Sequence, residues 1–303
     1  MFEDAIKKAN KYTRCINTIQ RAYKSEKVLP VSSTIFFVND EGCAICSKRT
    51  MDMLVAGDNM FKIYHQFLEE KKNLHDDYRY EMELEELEEK YKLKDNVICD
   101  MKNTFVGCFA KIGGFECVKH PKYDLALIRF KDYENKLYQG HAVFTKDKGP
   151  LQPGQFLCRL GYPFPEFTNY KYDTEKDEIV WTKEGNFFSP SFPQEGMVTR
   201  NVVDDDVNFA IELSTPSFNG MAGGPLFDQF GIVYGMQFQT IAIPNANNPI
   251  PYHLFAEGQD VLNSTHPFAL LSRCLHADVI KKFLKDNGVK YYEEDSYGKN
   301  SCN

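Results

Sequence analysis

The sequence lacks a long apolar run: no stretch approaches the roughly 18 unbroken apolar residues that a membrane-spanning helix needs. Residues 1–5 contain neither a basic leader nor an apolar segment, so secretion is not expected. Positive charge is also scarce, because 36 Lys and Arg stand against 43 Asp and Glu, a net charge of −7. This balance argues against nucleic acid and anionic membranes as main partners.

The cysteines lack a pairing rhythm. Their number, nine, is odd, and they are spread along 303 residues, which predicts reduced thiols and a cytoplasmic protein. Cys43 and Cys46 have a spacing found in metal and redox sites, but no second cysteine pair or nearby histidine completes four ligands. We therefore expect plain buried thiols there, no metal and no cofactor.

Residues 58–92 carry apolar side chains at helical spacing, among them Met60, Tyr64, Phe67, Leu84 and Leu87. The phase of this pattern shifts at 78–81, and there are too few clean heptads for a coiled-coil dimer. The pattern predicts a helical insertion that breaks at the shift. A last helix is predicted over 277–287, with Gly288 ending it.

The rest of the chain has the pattern of short strands. Two apolar runs, 33–38 and 43–47, flank Asn-Asp-Glu-Gly and predict a β-hairpin. After residue 96 short apolar runs alternate with turn clusters, at 123–130, 156–160, 196–203, 209–213 and 231–238. No βαβ alternation is present, so these runs predict an antiparallel sandwich or barrel.

Residues 219–228 read Asn-Gly-Met-Ala-Gly-Gly-Pro-Leu-Phe-Asp. Glycines around a small residue, followed by an apolar strand, place successive backbone N–H groups on one turn, where they can hold an anionic oxygen. The segment resembles the Gly-x-Ser-Gly-Gly-Pro nucleophile loop of trypsin-like serine peptidases, particularly of the bacterial high-temperature-requirement type. The resemblance implies that Gly220 and Ala222 supply the oxyanion-hole N–H groups, and that Ala222 stands where the nucleophilic serine is expected.

Other segments extend the resemblance in the same order along the chain. Residues 123–128 resemble the segment that carries the family's buried aspartate, which places it at Asp124. The hairpin 35–49 resembles the one that precedes the catalytic histidine, whose place is taken by Thr50. Residues 160–163 and 194–199 resemble the family's Leu-Gly-Tyr-Pro and Gly-x-(Val/Ile)-Ser strands, and the closing helix matches as well.

This resemblance implies an all-β fold of two antiparallel β-barrels of the chymotrypsin type, with a helical insertion and a C-terminal helix. The implied division is a helix and arm at 1–30, a first barrel at 31–145 with the insertion 58–92, a second barrel at 146–265, a helix at 266–290 and a flexible tail at 291–303.

The implied catalytic centre lacks both the general base and the nucleophile. A hydroxyl at Thr50 does not accept a proton at neutral pH as an imidazole does, and Ala222 has no oxygen to activate. Losing nucleophile and base together costs on the order of 10⁶ in turnover. Only Asp124 remains, and we expect the Thr50 hydroxyl to donate a hydrogen bond to it. None of the histidines falls in a recognisable base position: His65, His75, His120, His141, His253, His266 and His276.

The resemblance also implies a peptide-binding cleft. An edge strand at Phe238, Gln239 and Thr240 would pair with an extended peptide. Pro216 would line the primary specificity pocket, with no acid at its base. This disfavours recognition of Lys or Arg and suits a small or apolar side chain.

Three interpretations follow. In the first, the chain is a catalytically inactive homologue, a pseudopeptidase, that binds a peptide or protein. In the second, it is a serine endopeptidase supplied as an inactivated active-site variant, for which native Ser and His codons at 222 and 50 would decide. In the third, it is an interaction module whose binding surface is the helical insertion. Two separate losses, at Thr50 and at Ala222, favour the first.

Overall fold

The computed structural model describes residues 1–146, 149–243 and 269–294. The first half of the chain contains α1 (Glu3–Tyr12), β1 (Thr13–Ala22), β2 (Val28–Phe37), β3 (Cys43–Cys46), α2 (Lys48–Lys71), α3 (Tyr80–Tyr91), β4 (Ile98–Phe105), β5 (Phe109–Lys111), β6 (Gly114–Lys119), β7 (Ala126–Lys131), β8 (Glu134–Lys136) and β9 (Val143–Phe144). The second half contains β10 (Phe156–Gly161), β11 (Tyr170–Asp173), β12 (Glu178–Trp181), β13 (Phe192–Asp204), β14 (Val207–Leu213), β15 (Pro225–Phe227), β16 (Ile232–Ile243), β17 (Ala269–His276), α4 (Ala277–Asp286) and β18 (Tyr292–Glu293).

The first large sheet is a curled half-barrel. Its six strands pair in the order β4-β1-β2-β3-β7-β6, all antiparallel. Its two edge strands, β4 and β6, are not paired with each other in the described part of the chain. Instead, the rings of Phe105 and Phe115 meet edge to face across the gap, with their centroids 5.3 Å apart, and α2 packs against both edges.

The second large sheet closes on itself. Its strands follow the order β15-β10-β13-β14-β17-β16, and β15 pairs back to β16 to complete a six-stranded barrel. The two short strands β9 and β18 extend it in parallel from β16. Small and branched apolar side chains fill the interior, among them Leu157, Val198, Ile211, Leu213, Leu226 and Cys274.

The mostly-β, antiparallel architecture predicted from the sequence is confirmed, with one closed barrel beside a half-barrel in place of two closed barrels. Strand β1 lies within the predicted arm, because the β-branched run from Thr13 pairs between β2 and β4. The last helix is confirmed as α4, and Gly288 follows it at φ +66°. The helix implied over 266–290 is wrong in its first part, because residues 269–276 form β17 and pair between β14 and β16 in the barrel. The start of the predicted tail pairs as β18, while residues 295–303 and the predicted boundary at 265/266 lie outside the described residues.

The predicted helical insertion forms two helices, but the first begins ten residues earlier than expected. Ser47 caps α2, since its Oγ accepts a hydrogen bond from the Thr50 N–H at 3.2 Å. Thr50 therefore lies in the first turn of a helix. The far half of α2 packs with α3 in a cluster of buried side chains, Tyr23, Tyr64, Phe67, Leu87, Leu93 and Cys99.

The cysteines of the described ranges agree with what the sequence predicts. Cys43 and Cys46 are both buried in β3, as expected, and the cysteines of the described ranges are all free thiols. No helix in those ranges combines the length and the apolar character needed to cross a membrane.

Candidate functional site

The turn at residues 219–224 joins β14 to β15 and contacts both sheets. Gly220 and Gly223 have φ values of +91° and +93°, which favour glycine because it has no Cβ. The Gly223 N–H donates to the Gln237 carbonyl at 2.8 Å, and the Gly224 N–H donates to the Met221 carbonyl at 3.0 Å. The turn is thus fixed by hydrogen bonds both to β16 and within itself.

Close packing also requires these glycines. A Cβ on Gly223 would lie 2.2 Å from the Thr34 carbonyl oxygen and 3.3 Å from the Ser47 backbone nitrogen. A Cβ on Gly220 would lie 2.5 Å from the Tyr162 carbonyl oxygen. The turn of the barrel therefore lies directly against β2 and the start of α2, which belong to the half-barrel side of the molecule.

The two backbone N–H groups that the resemblance assigns to an oxyanion hole are free. Among the described residues, neither the Gly220 N–H nor the Ala222 N–H donates a hydrogen bond, whereas the N–H groups of Met221, Gly223 and Gly224 do. Neighbouring unpaired N–H groups form a concavity that attracts an anionic oxygen. The side chain beside them is the half-buried methyl group of Ala222.

Thr50 and Asp124 have separate partners. The Thr50 hydroxyl is buried and lies 3.0 Å from the Ser47 Oγ. The Asp124 Oδ1 accepts a hydrogen bond from the Lys48 backbone N–H at 2.6 Å. The expected Thr50–Asp124 hydrogen bond is therefore wrong. The physical reason is the early start of α2, because the free N–H groups of a helix N-terminus can donate hydrogen bonds to a carboxylate.

Residues 47–50 bring the three predicted catalytic positions together. Ser47 lies against the turn next to Ala222, its hydroxyl contacts Thr50, and Lys48 holds Asp124. In the described ranges no histidine is hydrogen-bonded to any of the three positions, and His253 and His266 lie outside those ranges. The three positions thus lie around one short segment, and none of them carries a histidine or a serine side chain.

An open strand edge lies beside this centre. Gln237 directs both its N–H and its carbonyl to the turn, at 2.9 and 2.8 Å, and beyond it no strand of the described chain pairs with this edge of β16. Gln239 is exposed on it, and the Thr240 Oγ1 bonds the N–H and the carbonyl of Ser217, both at 3.0 Å. The half-buried Phe238 side chain packs against the main core.

Three aromatic rings lie near the turn. Phe164, Phe192 and Phe218 form a cluster with ring centroids 5.3 to 6.0 Å apart. Phe164 and Phe218 are 40% and 44% exposed, so the cluster presents an apolar surface to solvent next to Gly220. Contiguous exposed apolar surface of this kind is typical of binding sites.

Arg159, a fully buried residue of β10, was not predicted from the sequence as part of the site. Its Nη2 donates to the Pro216 carbonyl at 3.1 Å and to the Thr215 Oγ1 at 2.7 Å. Burial lowers the pKa of its guanidinium. The signal was one charged residue in the otherwise apolar run Phe-Leu-Cys-Arg-Leu-Gly, but that run alone does not show what the arginine contacts.

No family model matches the chain, and no curated protein matches it in sequence. A closed six-stranded barrel beside a half-barrel is compatible with a two-barrel fold and does not identify a family. Evidence about function therefore comes from the geometry of the turn, the start of α2 and the open edge of β16.

Proposed function

We propose that the chain is a catalytically silent homologue of the trypsin-like serine peptidases that binds an extended peptide in the cleft beside the 219–224 turn. The observation that carries this proposal is the turn itself. The N–H groups of Gly220 and Ala222 are free in this turn, residue 222 carries only a methyl group, and the turn packs onto the short segment that contains Thr50 and binds Asp124.

Catalytic silence follows from the chemistry of the three positions. A general base must lie within hydrogen-bond reach of the nucleophile it activates. Ala222 supplies no oxygen, and the Thr50 hydroxyl is committed to Ser47. Asp124, which would orient an imidazole, is bound to the N-terminus of α2 instead. The free N–H groups of the turn remain able to bind a carbonyl oxygen of a peptide that is not cut.

Peptide binding is supported by the surfaces on either side of the turn. The open edge of β16 can add an extended segment through main-chain hydrogen bonds. The exposed cluster of Phe164, Phe192 and Phe218 can take an apolar side chain of that segment. The strand edge would supply affinity through main-chain hydrogen bonds, and the aromatic cluster would supply selectivity among side chains.

Retention of a peptide mixture tests binding. An acetylated, amidated mixture of randomised hexapeptides is passed over the immobilised full chain, and the retained peptides are quantified by mass spectrometry. We expect Ala222→Phe to reduce retention about tenfold, because its ring fills the space over the two free N–H groups. The control is Ile63→Glu with Met82→Glu, which alters exposed apolar positions of α2 and α3 and leaves retention unchanged. The reverse pattern would place the binding surface on the insertion and contradict the proposal.

Restoring an imidazole at 50 and a hydroxyl at 222 tests whether these positions correspond to the catalytic histidine and serine of the family. The double variant Thr50→His with Ala222→Ser should become labelled by a fluorophosphonate, because it returns an imidazole and a hydroxyl to the turn and the start of α2. The single variant Thr50→His is the matched control, since it has the base and no oxygen to label. A folded double variant that reacts no faster than this control would contradict the assignment of the two positions.

A further inference from the structure

The guanidinium of Arg159 lies entirely inside the molecule. Four neutral oxygen atoms surround it, and each accepts one of its hydrogen bonds: Gln237 Oε1 at 3.1 Å, Thr215 Oγ1 at 2.7 Å, the Pro216 carbonyl at 3.1 Å and Ser272 Oγ. Its Nε–H is buried without a partner. Arg159 is thus well supplied with acceptors, yet none of them carries a charge.

Two other buried charged residues of the described chain, Arg21 and Glu212, have counter-charges within it. Arg21 is 2% exposed and lies 3.1 Å from the Asp177 carboxylate. Glu212, equally buried, pairs with Arg200 at 2.7 Å and with Arg273 at 3.3 Å. No carboxylate of the described residues pairs with Arg159. A buried charge without a counter-charge costs several kcal/mol, so its retention calls for an anion supplied from elsewhere.

The partners of Arg159 come from two walls. Thr215 and Pro216 belong to the segment that leads into the 219–224 turn, whereas Gln237 and Ser272 belong to β16 and β17. The guanidinium therefore lies between that segment and the paired strands β16 and β17. Pro216 is half-buried, so this wall reaches the solvent-accessible side of the cleft.

We propose that Arg159 is the counter-charge for a carboxylate of the bound peptide, from an aspartate or glutamate side chain or from a free C-terminus. The proposal rests on the peptide-binding function proposed above. A carboxylate entering beside Pro216 would replace bonds to neutral oxygens with charge-assisted ones, which are about twice as strong. From the sequence, the lack of an acid near Pro216 predicts that this pocket binds a small or apolar side chain of the peptide. Because Arg159 lies beside Pro216, we expect an anionic group of the peptide there instead.

Three peptide mixtures test this on the unmodified full chain. Two are acetylated, amidated hexapeptides, randomised without Asp or Glu except at one fixed position, which is glutamate in the first and glutamine in the second. The third contains no acidic side chain and ends in a free carboxylate. We expect retention of the glutamate mixture, the free-carboxylate mixture or both to exceed that of the glutamine mixture about tenfold. The mixture that is preferred identifies the source of the carboxylate.

Two variants assign the preference to Arg159. Arg159→Met should abolish it, whereas Arg79→Met removes the same charge from the exposed insertion and should leave it intact. The comparison of mixtures needs no variant, so a folding defect in Arg159→Met does not affect it. Equal retention of all three mixtures would overturn the carboxylate assignment while leaving peptide binding in place. Retention of none would overturn the proposed function, and the inference with it.

Discussion

Replacing Gly223 by alanine is expected to destabilise the chain by about 3–4 kcal/mol, the largest effect that we predict for a single methyl group. Two terms contribute. At φ +93° a side chain is strained whatever the space around it. In addition, the new Cβ would lie 2.2 Å from the Thr34 carbonyl oxygen, which belongs to strand β2 and cannot move without disturbing its pairing with β1.

Gly154 provides a matched control. It has the same φ of +93°, but a Cβ placed on it meets nothing within 4 Å. Gly154→Ala should therefore cost only about 1–2 kcal/mol, from backbone strain. Urea unfolding at neutral pH, followed by the fluorescence of Trp181, the single tryptophan, gives both free energies of unfolding. Equal destabilisation in the two variants would mean that the turn does not press on β2.

The conformation of the 219–224 turn could be predicted from the sequence. The glycines at 220 and 223 are required by local geometry, and a local requirement is visible in a local motif. The hairpin of β2 and β3 and the last helix with Gly288 were predictable for the same reason. In each of these, the residues that determine the conformation are adjacent in the chain.

Features that depend on distant partners were not predictable. The hydrogen-bond partners of Arg159 lie 56 to 113 residues away from it in sequence. The partner of Asp124 was wrong because α2 begins at Lys48, which puts a free helix N–H where a threonine hydroxyl was expected. The gap in the half-barrel depends on where α2 packs relative to β4 and β6, and no local pattern records that packing.

Replacing Arg21 is expected to have the second largest effect on stability. This residue lies at the end of the insertion far from the 219–224 turn. This residue of β1 donates from Nη2 to the Tyr64 hydroxyl of α2 at 2.7 Å and pairs with Asp177, in the turn between β11 and β12. Its guanidinium also lies 5.3 Å from the ring centroid of Tyr64 and 4.7 Å from that of Tyr172. Arg21→Met leaves the Tyr64 hydroxyl without this partner and Asp177 without its counter-charge, so we expect a loss of about 3 kcal/mol in the free energy of unfolding.

Lys24→Met is the control for Arg21, because Lys24 also joins the sheet to the insertion, through Glu88 of α3 at 3.1 Å, but is 53% exposed. An exposed pair contributes under about 1 kcal/mol, so this variant should unfold almost as the unmodified chain does. Hydrogen exchange should locate the difference, with protection lost in the far half of α2 and in β11 and β12 of Arg21→Met only. Similar losses in both variants would show that the insertion is held by its apolar cluster alone. Peptide retention gives a further readout for Arg21→Met. Arg21 binds the far half of α2, whereas the 219–224 turn packs against the start of α2. We therefore expect the variant to retain peptides even though the insertion is less stable. Loss of retention would instead tie the binding surface to the insertion.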